Sequence, residues 1–142
     1  MTIAAVLKGH SGTVISIEDD HTVAEAIAVL AERRIGALPV VRQGKLVGIF
    51  SERDVIYCLA SKGAEALART VADVMTSPAQ TVELGQSVLG ALSLMTERRF
   101  RHLPVIAGEE LVGLVSIGDL VKYRIDKIEA EAAAMRDYIQ AV

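Results

Sequence analysis

Two short segments of this sequence carry the polar side chains that could do chemistry. Each has a serine followed three residues later by an aspartate: Ser51 with Asp54, and Ser116 with Asp119. A serine N-cap with an acidic residue in the first helical turn stabilises a helix start. A carboxylate at a helix start beside a cleft could instead accept hydrogen bonds from the two vicinal hydroxyls of a ribose, with backbone N–H groups meeting a phosphate. The spacing alone leaves both interpretations open.

The rest of the sequence offers no pattern that favours catalysis or a metal site. Neither serine has an evident histidine partner, and no glycine-rich phosphate loop occurs. The histidines His10, His21 and His102 lie in three different settings without metal-ligand spacing. Cys58, the single cysteine, is expected on a helix as a core residue. We therefore expect no enzyme activity, no catalytic residue and no metal.

Composition limits the class of partner. The formal net charge is −3 and the sequence pI is about 5.6, so no global field attracts nucleic acid or an anionic membrane. Apolar runs fall far short of the roughly 20 residues that span a bilayer, and nothing resembles a signal peptide. We expect a cytoplasmic protein that binds neither nucleic acid nor membrane.

Both Ser-x-x-Asp pairs belong to a longer phrase that occurs twice. Residues 32–54 and 97–119 share a Leu-Pro-Val motif and then Leu-Val-Gly, two apolar residues and Ser-x-x-Asp. The offset that relates Pro39 to Pro104 also relates Asp54 to Asp119, so no insertion separates the two motifs in either copy. An internal repeat of this quality predicts a duplicated structural unit, and one such unit has too little core to stand alone.

Each copy reads strand, helix, strand, strand, helix. In the first copy a capping box predicts an amphipathic helix over 23–34 that Gly36 ends, followed by a hairpin of strands 38–41 and 45–50. The fold class is therefore α/β (α+β): two βαββα repeats packed with pseudo-two-fold symmetry, plus a long C-terminal helix. The predicted divisions are the first repeat with its leading segment, which includes a turn over 9–13, the second repeat, and a helical extension: 1–69, 70–124 and 125–142.

The last helix, predicted from Gly118 to about Gln140, has one narrow apolar stripe. Such a stripe needs a cover, and packing on its own domain and packing against a partner subunit are both open. The stripe contains the following residues: Val121, Ile125, Ile128, Ala132, Met135 and Ile139.

The repeated phrases resemble cystathionine β-synthase (CBS) domains, and residues 7–123 resemble a stand-alone CBS-domain pair, or Bateman module. The Leu-Pro-Val and Ser-x-x-Asp phrases carry the resemblance in both copies, together with Asp73-Val74-Met75 at the start of the second. The resemblance implies a regulatory module that binds AMP, ADP or ATP, and in some members NAD(H) or S-adenosylmethionine, between the repeats. It also implies a homodimer and a separate effector protein.

The resemblance assigns ribose binding to Asp54 and Asp119, with Ser51 and Ser116 beside them. It places phosphate binding at Arg101, and at the neighbouring His102. One base slot would combine residues before the first Leu-Pro-Val with the strand before the second Ser-x-x-Asp and with the leading strand: Gly36, Ala37, Leu114, Val115 and Ile15.

The two clefts cannot be equivalent, because the positions of Arg101 and His102 carry no charge in the first copy. We expect the Asp119 cleft to hold the phosphate clamp and to bind more tightly, whereas the Asp54 cleft would need Arg53 or another basic residue. An alternative function is a structural or interaction homodimer with vestigial clefts, which would act through its C-terminal helix.

Overall fold

The computed structural model describes residues 1–10 and 14–141, so the predicted turn over 9–13 lies partly outside the described residues. The helices and strands follow in chain order: α1 (Ile3–Lys8), β1 (Ile17–Glu18), α2 (Val23–Arg33), β2 (Ala37–Arg42), β3 (Lys45–Ser51), α3 (Glu52–Lys62), a 3₁₀ helix (Gly63–Ala68), α4 (Val71–Val74), β4 (Val82–Glu83), α5 (Val88–Arg98), β5 (His102–Ala107), β6 (Glu110–Ser116) and α6 (Ile117–Gln140).

The duplication is visible in two three-stranded sheets with the same topology. In the first, β1 pairs parallel to β2 and β2 antiparallel to β3; the second repeats this order with β4, β5 and β6. The hairpin register shifts after Val40 in one copy and after Val105, the equivalent position, in the other. The predicted α+β class with two βαββα repeats is confirmed.

The sequence correctly predicts how α2 begins but not how it ends. The capping box at the start of α2 is present, with Thr22 and Glu25 bonded reciprocally. The helix ends at Arg34 in the left-handed conformation (φ 53°), and Gly36 does not end it. Gly36 has another role, since a Cβ there would lie 3.0 Å from His102 and 3.1 Å from Glu52. Its lack of a side chain lets these groups approach.

The short helix α1 packs on the second repeat, although the sequence division grouped it with the first. Ile3 and Val6 belong to the buried core that includes Leu103 and Leu120. Conversely, Val71 of α4 belongs to the buried core of the first repeat. Each core is thus completed by the helix that precedes the other repeat along the chain.

Matching contacts relate the two short helices by the approximate two-fold symmetry. Thr2 forms a bridge with Ser87, and Thr70 forms the corresponding bridge with Thr22, the equivalent of Ser87 in the first repeat. The segments Thr-Ile-Ala-Ala-Val-Leu and Thr-Val-Ala-Asp-Val-Met correspond, but their offset is longer than that of the main repeated phrase. That change of offset concealed the equivalence of the segments.

Two equivalent glycines allow the short helices to approach the sheets, and they support a prediction about stability. A Cβ at Gly48 would lie 2.7 Å from Met75 Sδ and 2.8 Å from the backbone oxygen of Thr76. At Gly113 it would lie 2.8 Å from the methyl groups of Leu7. We expect Gly48→Ala to lower the free energy of unfolding by about 1–3 kcal/mol, because backbone must move. Gly113→Ala should lower the free energy of unfolding by less, because the side chain of Leu7 can rotate away from the added methyl group. Urea unfolding of both variants measures the difference, and equal losses would contradict this account.

Helix α6 follows the predicted range, but its apolar stripe is not covered by the domain. Leu120 is buried and Tyr123 packs on the second core. Beyond them the stripe is exposed, from 42% at Val121 to 66% at Ile139. Packing of the stripe on its own domain, one of the two sequence-based alternatives, is therefore wrong. Among the described residues, none of the helices combines the length and apolarity that a membrane crossing requires.

Candidate functional site

A cavity of about 690 Å³ lies between the two repeats at the start of α3. Its walls combine acidic and hydroxyl groups of the first repeat and of the segment that follows it, basic groups that come mainly from the second repeat, and apolar groups from both. The lining residues are Ser51, Glu52, Asp54 and Thr76; Arg53, Arg98, Arg101 and His102; Gly36, Ile49, Ile56, Tyr57, Pro78 and Phe100; and Gln80.

Asp54 is held rigidly at this cavity by three hydrogen bonds. The backbone N–H of Ser51 donates to its Oδ2 at 2.8 Å, and the Ser51 hydroxyl donates to the same oxygen at 3.1 Å. The Thr76 hydroxyl donates to Oδ1 at 2.9 Å. Each carboxylate oxygen can accept two hydrogen bonds, so Oδ1 retains capacity toward a ligand. The side chain is preorganised as an acceptor.

The segment that links the repeats forms one wall of the cavity. Thr76 pairs with Ile49 through two backbone hydrogen bonds of 2.9 Å, which continue the sheet beyond β3. The Ser77 hydroxyl donates to the backbone oxygen of Val47 at 2.7 Å. These bonds place Pro78 and Gln80 along the cavity.

Basic side chains gather where α5 ends and β5 begins. Arg98, Arg101 and His102 line the cavity from the second repeat, and Arg53 lines it from α3. The guanidinium of Arg53 also donates to the backbone oxygen of Arg99 at 2.9 Å, which ties α3 to the end of α5. This wall can attract an anionic group.

His102 contributes a largely neutral ring to this wall. Burial lowers the pKa of His102 below its usual value. The carboxylates of Glu52 and Asp119 oppose this shift in the pKa, while the charge of Arg101 reinforces it. A neutral imidazole offers one donor and one acceptor, so at neutral pH the arginines supply the positive charge of this wall.

The predicted pairing of Arg101 and His102 with the Asp119 cleft is corrected by this arrangement. Both residues line the cavity that contains Asp54. The end of α5 in the second repeat faces the start of α3 in the first, so the basic residues lie opposite the carboxylate of the other repeat. Arg53, the predicted substitute, lines the same cavity.

The second Ser-x-x-Asp segment forms a capping box at the start of α6. The backbone N–H of Ser116 donates to Asp119 Oδ2 at 2.9 Å, and the backbone N–H of Asp119 donates to Ser116 Oγ at 3.1 Å. His10 Nε2 lies 3.8 Å from Asp119 Oδ1. The neighbouring residues 11–13 lie outside the described part of the chain.

Comparison with known proteins identifies the repeats. The family model for the CBS domain matches residues 10–61 and 71–126. The chain belongs to the CBS-domain family. It is 34% identical to the mitochondrial CBS domain-containing protein CBSX3 of Arabidopsis thaliana, over 98% of this chain and 72% of that protein.

Solved structures of CBS-domain proteins share the fold. A CBS-domain-containing protein of Agrobacterium tumefaciens is 33% identical with a TM-score of 0.82, and the match covers 87% of this chain and 92% of that one. A CBS domain protein of Pyrobaculum aerophilum, solved in complex with AMP, is 25% identical with a TM-score of 0.74, over 84% and 89% of the two chains.

The CBS repeats place the five predicted base-slot residues differently. Gly36 lines the cavity that contains Asp54. Leu114 is not among the lining residues of that cavity, so the structure does not bring these two predicted base-slot residues together there. Ala37 and Val115 are fully buried inside the protein, which corrects their predicted contact with a ligand. Leu114 is half-buried on β6, and Ile15 is half-buried against the first core.

Several cavity residues of this CBS pair were not predicted from sequence. Arg98, Thr76 and Phe100 line the cavity, although the sequence pattern assigns them no contact with a ligand. The constant offset of the repeat carried a usable signal, since it relates Gln80 to Ile15, which was assigned to a cleft. The repeat symmetry is therefore a sequence signal for Gln80 as a cavity residue.

Proposed function

We propose that this chain is a regulatory module that binds an adenosine nucleotide in the cavity around Asp54. The observation that carries the proposal is one cavity that combines the anchored carboxylate of Asp54, a residue that is 9% exposed, with arginines from the second repeat. The carboxylate would accept hydrogen bonds from the ribose hydroxyls, the arginines would bind phosphate, and the apolar walls would hold the base.

The dimensions and chemistry of the cavity support a nucleotide. Its volume lies within the range of about 300–1,000 Å³ usual for ligand sites. Three lining arginines, Arg53, Arg98 and Arg101, favour an anionic ligand with one or more phosphates: AMP, ADP, ATP or NAD(H). The related CBS domain protein of Pyrobaculum aerophilum, solved with AMP, supports the adenosine class.

A ligand in this position would connect the two repeats and affect how they are arranged relative to each other. Asp54 belongs to the first repeat and Arg101 to the second, so a nucleotide that contacts both stabilises one relative arrangement. The size of the response is limited by the difference in affinity for the alternative arrangements. We propose that a separate effector protein in the cytoplasm reads this change, and that the module itself catalyses no reaction.

Calorimetric titration of nucleotide-free protein with AMP, ADP, ATP and NADH tests the proposal. We expect at least one of them to bind with a defined stoichiometry and to raise the unfolding temperature, as any ligand specific for the native state must. Absence of heat and of stabilisation with all of them, in a folded protein, would overturn it.

Arg101→Ala is expected to weaken AMP binding about tenfold to a hundredfold, because a hydrogen bond to a charged group contributes about 1.5–3 kcal/mol. Adenosine, which has no phosphate, should bind both proteins equally. Lys62→Ala removes an exposed positive charge at the other end of α3 and serves as the control. Equal losses for AMP and adenosine would contradict a phosphate role for Arg101.

The alternative function, an interaction homodimer with vestigial clefts, is favoured by the exposed stripe of α6. Dimerisation through the stripe is compatible with nucleotide binding, since the stripe and the cavity use different residues, but vestigial clefts are not. A folded dimer that binds none of the four nucleotides would support the alternative.

A further inference from the structure

The second half of α6 projects beyond the domain without a cover. From residue 125 to residue 141 nearly every side chain is exposed, including Ile125 at 49% and Met135 at 61%. Proteins stabilise helices mainly through the packing of an apolar face rather than through intrinsic helix propensity. A projecting helix with large exposed apolar side chains therefore needs a partner surface.

The spacing of the stripe indicates what kind of surface covers it. Its six residues follow one another at alternating steps of four and three, from Val121 to Ile139. That is the a/d pattern of a heptad, whose period of 3.5 keeps a narrow seam facing one partner helix in a left-handed supercoil. Isoleucine occupies two of the three a positions, Ile125 and Ile139, and the d positions are also apolar, so the seam is continuous along the helix.

The charges that flank the seam identify the partner helix. In a parallel pair in register, each g residue lies beside the e residue five positions later in the other helix. Arg124 would face Glu129 of a second copy, and Glu131 would face Arg136 of a second copy. Both pairs have opposite charges, so the helix is complementary to itself.

The antiparallel arrangement lacks this complementarity. The register that brings all six seam residues together would place Glu129 against its own equivalent and Glu131 against its own equivalent. It would also place Lys122 against Arg136. Like charges at these positions oppose pairing.

We infer that residues 121–139 of α6 pair in parallel and in register with the same helix of a second copy of this chain, as a two-stranded coiled coil. The pairing places both domains at the same end of the coil. It uses none of the groups proposed to bind nucleotide, so a failure of nucleotide binding leaves it unaffected.

Light scattering during size-exclusion chromatography tests the pairing. We expect the whole chain to be a dimer and Ile128→Asp, in the centre of the seam, to raise the dissociation constant at least a hundredfold. Ala130→Asp places the same charge on the opposite side of the helix and should remain dimeric. Ile128 is exposed, so circular dichroism should show a folded Ile128→Asp monomer. A monomeric wild-type chain, or a stable dimer of Ile128→Asp, would overturn the inference.

Charge reversal and cross-linking test the orientation. Glu131→Arg should weaken the dimer about tenfold, and adding Arg136→Glu to it should restore affinity. Met135→Cys should form a disulfide with its own equivalent under oxidation, while Cys58 is buried and should not react. Cross-linking of Met135→Cys to an Ile125→Cys chain, without self-linking of either, would show an antiparallel pair and refute the parallel one.

Discussion

Asp54→Asn is expected to weaken AMP binding about a hundredfold. Asparagine keeps the size of the side chain but replaces one acceptor oxygen by an amide donor and removes the charge. A bond from a ribose hydroxyl to a carboxylate contributes about 1.5–3 kcal/mol, so the loss of the bond that Oδ1 can still accept accounts for a factor of this order. Isothermal titration calorimetry with AMP measures it.

Asp119→Asn provides the matched control, because it makes the same change at the equivalent position of the second repeat. We expect it to leave the affinity of the tighter site unchanged, since the lining arginines lie in the Asp54 cavity. Unfolding curves of both variants are needed as well, because each aspartate also bonds the N-cap serine of its helix. Loss of AMP binding in Asp119→Asn with full affinity in Asp54→Asn would move the site to the second cleft.

Ile3→Ala is expected to lower the free energy of unfolding by about 2–5 kcal/mol, the usual range for removing a fully buried isoleucine. Ile3 is 0% exposed and packs in the core of the second repeat. The loss includes the transfer free energy of the deleted methyl groups and the cavity left among neighbours that relax only in part. Urea unfolding followed by circular dichroism measures it.

Leu89→Ala is the control for Ile3→Ala, because it shortens a large aliphatic side chain on the surface of the same repeat. Leu89 is 52% exposed on α5, so its loss should change stability by about 0.5 kcal/mol or less. A comparable small loss for Ile3→Ala would mean that α1 is dispensable and that the second repeat closes its core without it.

The exchange of α1 and α4 couples the two repeats to each other. Each repeat depends on a helix that the chain supplies from the other side of the pair, so neither repeat can separate without opening a core. Thr76 follows directly after α4 and its neighbour Met75, and donates to Asp54 in the cavity. A ligand that moves Asp54 would therefore act on the packing between the repeats.

Interactions between residues close in the chain explain which features the sequence determined. A capping box needs groups three residues apart, as in Thr22 with Glu25, and a two-residue hairpin needs turn residues that tolerate positive φ, as at Gln43 and Gly44. The internal repeat then extends each local prediction to the second copy. These signals sufficed for the fold class, the order of helices and strands within each repeat and the Ser-x-x-Asp segments.

Tertiary structure alone decided which groups share a cavity and which faces remain open. Arg101 and Asp54 lie far apart in the sequence, and only the packing of the repeats brings them to one cleft. Likewise, α1 and the α6 stripe both carry apolar side chains, but their burial depends on what lies opposite. Ile3 meets the second core, whereas Ile128 stays exposed on its own domain. Side-chain patterns specify that a surface is apolar or charged, whereas the choice of partner depends on contacts between distant segments that no local pattern contains.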